Sequence, residues 1–276
     1  MNPHARHSIS LTYLLAGLWR SRQLIGRMIR SEVIGRYKGS ALGLGWSLVH
    51  PLLMLSVYTF VFSIAFKARW GTHEGESKVM FAIILFIGMI VHGLFSEILN
   101  RSATLIPDNV NYVKKVVFPL EILPVVVTGA AVFHTLISLL VWLLFYLVCV
   151  GVPDWHALFL PLIIFPLVLL SLGVSWVLAA VGASFRDVGQ TTSIITAILL
   201  FLSPVFYPIE NIPQALHPLI MANPLTFVIE QARAVLIWAQ MPDLAGLLVY
   251  WTLALLVFWA GFVCFQKSRT GFADVL

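Results

Sequence analysis

Charge is scarce in this sequence. Only 11% of its 276 residues are Asp, Glu, Lys or Arg, against about 25% in a soluble domain. Hydrophobic residues make up 60%. So few charges cannot cover a water-facing surface, which excludes a soluble globular protein. Cysteine is scarcer still. Cys149 and Cys264 both lie in apolar runs, with no CxxC and no metal-ligand spacing, so they read as packing residues rather than a disulfide. The net charge of +5 would suggest nucleic acid for a soluble protein. In a membrane protein its distribution matters more, and no nucleic-acid partner is expected.

Catalytic and energy-coupling motifs are missing too. There is no G-x-x-x-x-G-K-[ST]: residues 39–45 (GSALGLG) lack the lysine and hydroxyl that a phosphate cradle needs. Gly39, Gly43 and Gly45 sit near the start of an apolar run and read as a close helix contact. No HExxH and no G-x-S-x-G occur. His50, His92 and His134 are isolated and read as hydrogen-bonding or packing residues. Glu97, Glu121 and Asp187 lie at the edges of apolar runs. An ion-coupled transporter usually holds a carboxylate deep in the membrane, so a secondary transporter or channel is the weaker alternative. An intramembrane glycosyl or acyl transferase would need a carboxylate or histidine cluster, which the spacing does not supply. The chain is read as a non-enzymatic, passage-forming subunit whose energy comes from elsewhere.

Long apolar runs are abundant. A helix needs about 20 apolar residues to cross a bilayer core about 30 Å thick. Stretches free of Asp, Glu, Lys and Arg cover 39–66, 79–96, 122–153, 155–185, 188–209, 211–229 and 244–266. The run 211–229 holds Pro213, Pro218 and Pro224. Proline removes backbone donors and bends helices, and unpaired backbone groups are costly in lipid, so this run reads as re-entrant helices. Six spans with both ends cytoplasmic place 13 Lys and Arg inside and 4 outside, as the positive-inside rule favours. Seven spans would give 11 against 6. The expected spans are 46–66, 79–99, 124–149, 158–183, 190–207 and 246–265. The fold class is thus an all-α membrane protein of six transmembrane helices, with re-entrant helices before the last span. No short apolar core followed by a small-residue cleavage site opens the chain, so the first span is expected to stay uncleaved.

Residues 1–38 read as a cytoplasmic N-terminal segment and 39–276 as the permease domain. Within the former, Leu11, Leu14, Leu18, Ile25, Ile29 and Val33 fall near one helical face and Arg20 and Arg27 near the opposite one. Such a basic amphipathic helix fits a membrane surface, where acidic lipid attracts arginine and the apolar stripe enters the interface. A helix packed on another cytoplasmic subunit fits equally. This helix, the loop 101–119 and the turn 185–188 are the three segments open to a partner; ordinary solvated loops are the plain alternative for each.

Several stretches together resemble a known family. They are 30–51 (RSEVIGRYKGSALGLGWSLVHP), 111–124 (NYVKKVVFPLEILP), 185–188 (FRDV), 203–208 (SPVFYP) and 223–225 (NPL). Their order and their placement between spans resemble the membrane subunits of bacterial ABC exporters of polysaccharides, especially lipid-linked O-antigen. Leu120 departs from the pattern, where such proteins often carry a basic residue. The resemblance implies a homodimer in the bacterial inner membrane, paired with two ATP-binding subunits. ATP and magnesium would be bound there, with no cofactor in this chain. It implies that 111–118 is a coupling helix docking in the ATPase, with Tyr112, Val113, Lys114, Lys115 and Phe118 as contacts and Arg186 and Asp187 beside them. Capsule and teichoic-acid exporters share the plan, so the cargo stays open between these polymers.

A sliding sugar polymer suits aromatic rings, which stack on apolar CH faces without fixing one hydrogen-bond geometry. Trp46, Tyr58, Phe62, Phe201, Phe206 and Tyr207 are the candidate channel residues; interfacial aromatic belts are the competing use. Glu230 and Arg233, three apart, are expected to pair on a helix and to form an extracytoplasmic gate.

Overall fold

A computed structural model of the chain describes residues 9–61, 78–114 and 118–272. These are helical, with no strand among them. The helices are α1 (Leu11–Arg20), α2 (Arg22–Tyr37), α3 (Trp46–Tyr58), α4 (Lys78–Ser102), α5 (Leu105–Asp108), α6 (Val110–Lys114), α7 (Ile122–Cys149), α8 (Leu160–Ser184), α9 (Val188–Leu202), α10 (His217–Met221), α11 (Pro224–Leu236) and α12 (Leu244–Ser268). Their boundaries follow local chemistry. The Asp243 carboxylate accepts from the amides of Ala245 and Gly246, opening α12. Asn223 accepts from the Leu225 amide, and Pro224 occupies the first turn of α11, where a missing N–H costs nothing.

Five segments are long and apolar enough to cross a membrane: Gly43–Val61, Val79–Ser102, Ile122–Cys149, Trp155–Ser184 and Leu244–Ser268. The chain is a multi-pass membrane protein. The expected fifth span, 190–207, is cut short. α9 ends at Leu202 because Ser203 is extended and Pro204 has no N–H to continue the ladder. Its 15 residues reach about 22 Å, less than a bilayer core. The expected re-entrant element appears as Gln214–Met221 followed by Pro224–Leu236, bent by 96° at the break.

α4 is the most enclosed of the described spans, buried along most of its length. It packs on α7, where the Trp142 indole donates to the Ile83 carbonyl at 3.1 Å. The most extensive helix pair is α8 with α12. They touch backbone to backbone: a Cβ built on Gly173 would meet the Val257 carbonyl oxygen at 2.5 Å, and one on Gly261 would land on the Gly173 carbonyl. Small residues permit such close approach between membrane helices. Beside this contact Trp176 is fully buried against Phe258 and Phe262.

The N-terminal segment forms two helices rather than one, broken at Ser21. Part of its apolar stripe is covered by the chain's own bundle. Leu14 and Val33 are buried, and Ile29 lies against the Cβ-less face of Gly129 on α7. Leu11 of the stripe faces outward, as do Leu15 and Trp19 outside it. The glycines 39–45 do not make a close helix contact. Cβ atoms built on Gly39 and Gly43 meet nothing within 4 Å, while φ is +85° and +51°. Their role is a left-handed turn into α3, which only glycine adopts without strain. Cys149 is exposed on the bundle and Cys264 is half-buried; both thiols are free.

Candidate functional site

One end of the bundle collects the basic residues. Ala103 lies against Gly182 and Thr104 against Gly189, so the segment after α4 covers the α8–α9 turn that carries Arg186 and Asp187. Both of these are exposed. In the expected coupling segment, Tyr112 is 38% exposed and packs its ring on Phe118 at 4.6 Å. Phe118 itself is 8% exposed, within a cluster containing Leu14, Ile106, Trp176 and Phe265. It therefore anchors the loop in the bundle and offers no ring to a partner, contrary to its expected contact role. Val113 and Lys114 place their backbone on α6; Lys115 lies outside the described residues. Leu120, where a basic residue was expected from the resemblance, is buried in the same cluster, and no charge fits there.

A cavity of about 330 Å³ opens between α2, α3, α4 and α7. Its polar lining includes Arg36, Ser47, His50, His92, Glu97 and His134. Glu97 accepts from Arg36 at 2.6 Å and contacts His134 Nδ1 at 2.8 Å. One turn along, Arg101 on α4 pairs with Glu32 on α2. The two helices thus exchange charges in antiparallel register: Glu32 and Arg36 on one, Arg101 and Glu97 on the other. Neither the Glu97–Arg101 nor the Glu32–Arg36 spacing is used within its own helix. His92 bonds the Thr196 carbonyl at 2.9 Å. Among the described residues no group of His, Cys, Asp and Glu is arranged to hold a metal.

The candidate aromatics divide. Tyr58 lines the cavity and lies 6.3 Å from Phe206, which in turn lies 5.7 Å from Phe201. Tyr207 donates its hydroxyl to the Phe201 carbonyl at 3.0 Å. Three of the named rings, Tyr58, Phe206 and Phe201, are therefore in successive contact from the cavity outward, with Phe201 68% exposed and Tyr207 tied to its backbone. Trp46, twelve residues before Tyr58 on α3, is about 18 Å away along the helix and is not part of the row. Phe62 lies outside the described residues.

At the opposite end Arg233 is fully buried. Its guanidinium donates to the carbonyls of Pro204 at 2.6 Å, Val205 at 3.0 Å and Ile84 at 3.3 Å. It also pairs with Glu230 at 2.9 Å, as the three-residue spacing predicts. Gly88 leaves the room: a Cβ there would stand 3.0 Å from the guanidinium. Asn223 reaches Ser203 Oγ at 2.8 Å, and Tyr250 bonds the Pro224 carbonyl at 3.0 Å. Arg233 thus ties three elements together: the turn after α9, the re-entrant pair and α4.

Three ion pairs go beyond what the sequence suggests. The α2–α4 exchange had a signal, since reciprocal charges recur four apart on both segments. The pair between Glu121 and Arg269 at 2.6 Å had none, because 148 residues separate its members.

Residues 23–237 match the family described as ABC-2 type transporter. The chain is similar to an O-antigen export system permease protein of Myxococcus xanthus, 26% identical over 263 residues, covering 95% of this chain and 98% of that protein. A Klebsiella pneumoniae protein of the same description is 25% identical over 276 residues, covering 98% of this chain and all of that one. A polysialic acid transport protein of Escherichia coli is 26% identical over 213 residues, 73% of this chain and 76% of that protein.

Proposed function

This chain belongs to the ABC-2 type transporter membrane family, and on that premise we propose that it is the permease subunit of an ATP-driven exporter of lipid-linked polysaccharide, with O-antigen as its cargo. The observation that carries the choice of cargo is coverage: the O-antigen permeases align from end to end, whereas the polysialic acid protein aligns over about three quarters. The protein works as a homodimer in the bacterial inner membrane with two ATP-binding subunits, which bind the ATP and magnesium. Both termini are cytoplasmic, so the basic end faces the ATPase.

The geometry supports this division of labour. Tyr112, Arg186 and Asp187 are each exposed, which leaves them open to form the docking surface, with Val113, Lys114 and Lys115 beside them. The row Tyr58, Phe206 and Phe201 leads away from the cavity and, with Tyr207 beside it, offers stacking faces to a polymer. At the outer end, Arg233 is sealed from any cargo, so gating contacts fall to Glu230, whose side chain is 32% exposed. A capsule polymer is the second reading, favoured by the polysialic acid relative.

Deleting the gene in its host tests the proposal. The expected result is loss of O-antigen from the cell surface, with lipid-linked polymer accumulating on the cytoplasmic side. Normal surface O-antigen with loss of capsule would replace this reading with the second one.

A further inference from the structure

The loop between α4 and α7 is fastened to the far end of the chain. Arg269 follows α12 in a single turn, Arg269–Gly271. Its guanidinium divides between two acceptors that bracket Pro119 and Leu120: Glu121 Oε2 at 2.6 Å and the Phe118 carbonyl at 2.9 Å. The Glu121 carbonyl accepts from the Trp176 indole of α8 at 3.1 Å. Both charged side chains are largely enclosed, 15% and 9% exposed. Phe118, Leu120, Phe265 and Phe272 complete the junction in one apolar cluster.

A planar guanidinium that holds two acceptors in fixed directions resists rotation as well as separation. The last turn of α12 therefore cannot shift relative to 118–121 without breaking one of the two bonds. The loop is also tied to α8, whose backbone touches α12 at Gly173 and Gly261. Movement imposed on the loop thus has a stiff route into two membrane helices distant in sequence.

We propose that the Arg269–Glu121 ion pair, with the Phe118 carbonyl, is the strut that transmits displacement of the α5–α6 loop to the last membrane helix. Arg269 and Glu121 are positioning residues; neither touches ATP or cargo. The inference rests on the reading that this loop docks the ATP-binding subunit.

The test uses the full chain co-purified with the ATP-binding subunit of its exporter, alongside export measured in cells. The variants are Glu121→Gln, Arg269→Gln, Arg269→Lys and the double variant Glu121→Gln/Arg269→Gln. Arg269→Lys keeps the charge but loses the two-pronged geometry, and it serves where the neutral variants do not accumulate. Each single variant is expected to retain the ATPase subunit and ATP hydrolysis within two-fold, while polymer exported per ATP falls at least five-fold. The double variant should be no worse than the weaker single one, because the two residues act as one device. Unchanged export per ATP in the single variants, including Arg269→Lys, would overturn the strut. So would a double variant whose loss is the product of the two single losses. Failure of the docking reading looks different. There, Tyr112→Ala and Arg186→Ala would leave ATPase retention intact, and complexes would form without that face.

Discussion

Replacing Gly261 by leucine is expected to separate α8 from α12 and to remove most of the folded protein. The reason is where a side chain would have to go. Even a single Cβ at Gly261 lands on the Gly173 carbonyl, and one at Gly173 lies 2.7 Å from the Phe258 Cα. Backbone cannot change rotamer, so the helices must move apart as rigid bodies. Overpacking in a well-packed interior costs about 1–3 kcal/mol where side chains can yield; here the cost is expected at about 3 kcal/mol or above. Parting the two helices also opens the cluster around Trp176, which α8 and α12 share. The measurement is the fraction recovered as a monodisperse species in mild detergent, together with its melting temperature. Gly26→Ala is the control: a Cβ there meets nothing within 4 Å, and alanine is favoured over glycine in a helix by about 0.5–1 kcal/mol. Its melting temperature should stay level or rise slightly.

The second large effect belongs to Arg233. Arg233→Met keeps length and apolar bulk but removes every donor. The carbonyls of Pro204 and Val205 belong to a turn rather than a helix, so neither regains a partner from a ladder. Each orphaned buried acceptor costs about 1–3 kcal/mol, and the turn holds two of them; Glu230, whose side chain is 32% exposed, loses a solvent-screened partner and adds little. A loss of about 4 kcal/mol is expected, read as a fall in melting temperature of the purified protein. Arg233→Lys should recover only part of it. One ammonium can satisfy Glu230 or the turn carbonyls, but it lacks the planar fork that serves both. Equal stability of the lysine variant and the native protein would show that charge alone is at work.

The sequence made the membrane class legible because charge-free runs and the lysine and arginine count act over whole segments. The re-entrant element was legible for the same kind of reason: three prolines within 12 residues, Pro213, Pro218 and Pro224, are too many for one unbroken helix. Other features depended on contacts between distant segments. Phe118 looks like an exposed end of a basic loop, yet the aromatic cluster from α8 and α12 buries it. Gly39 and Gly43 carry the spacing of a helix contact, but the backbone turns left-handed there and meets no neighbour. Glu97 and Arg101 have the spacing of a pair within one helix, and α2 outcompetes that pairing by bringing Arg36 and Glu32 to them. In each case the local pattern allowed two uses and the tertiary partner chose one. Arg233 was legible as one half of a pair with Glu230, but its carbonyl partners were not, because neither the free carbonyls of the Pro204–Val205 turn nor the helical carbonyl of Ile84 leaves a mark on the sequence.

As the proposed passage of a machine powered by another subunit, this chain should move nothing without that partner. The most direct measurement reconstitutes the purified chain in lipid vesicles, with and without its ATP-binding subunit, and follows lipid-linked O-antigen polymer across the bilayer. ATP-dependent movement is expected only when both subunits are present, with no ATP hydrolysis by this chain alone. Movement by the chain alone, driven by an ion gradient and abolished by an uncoupler, would contradict the proposal.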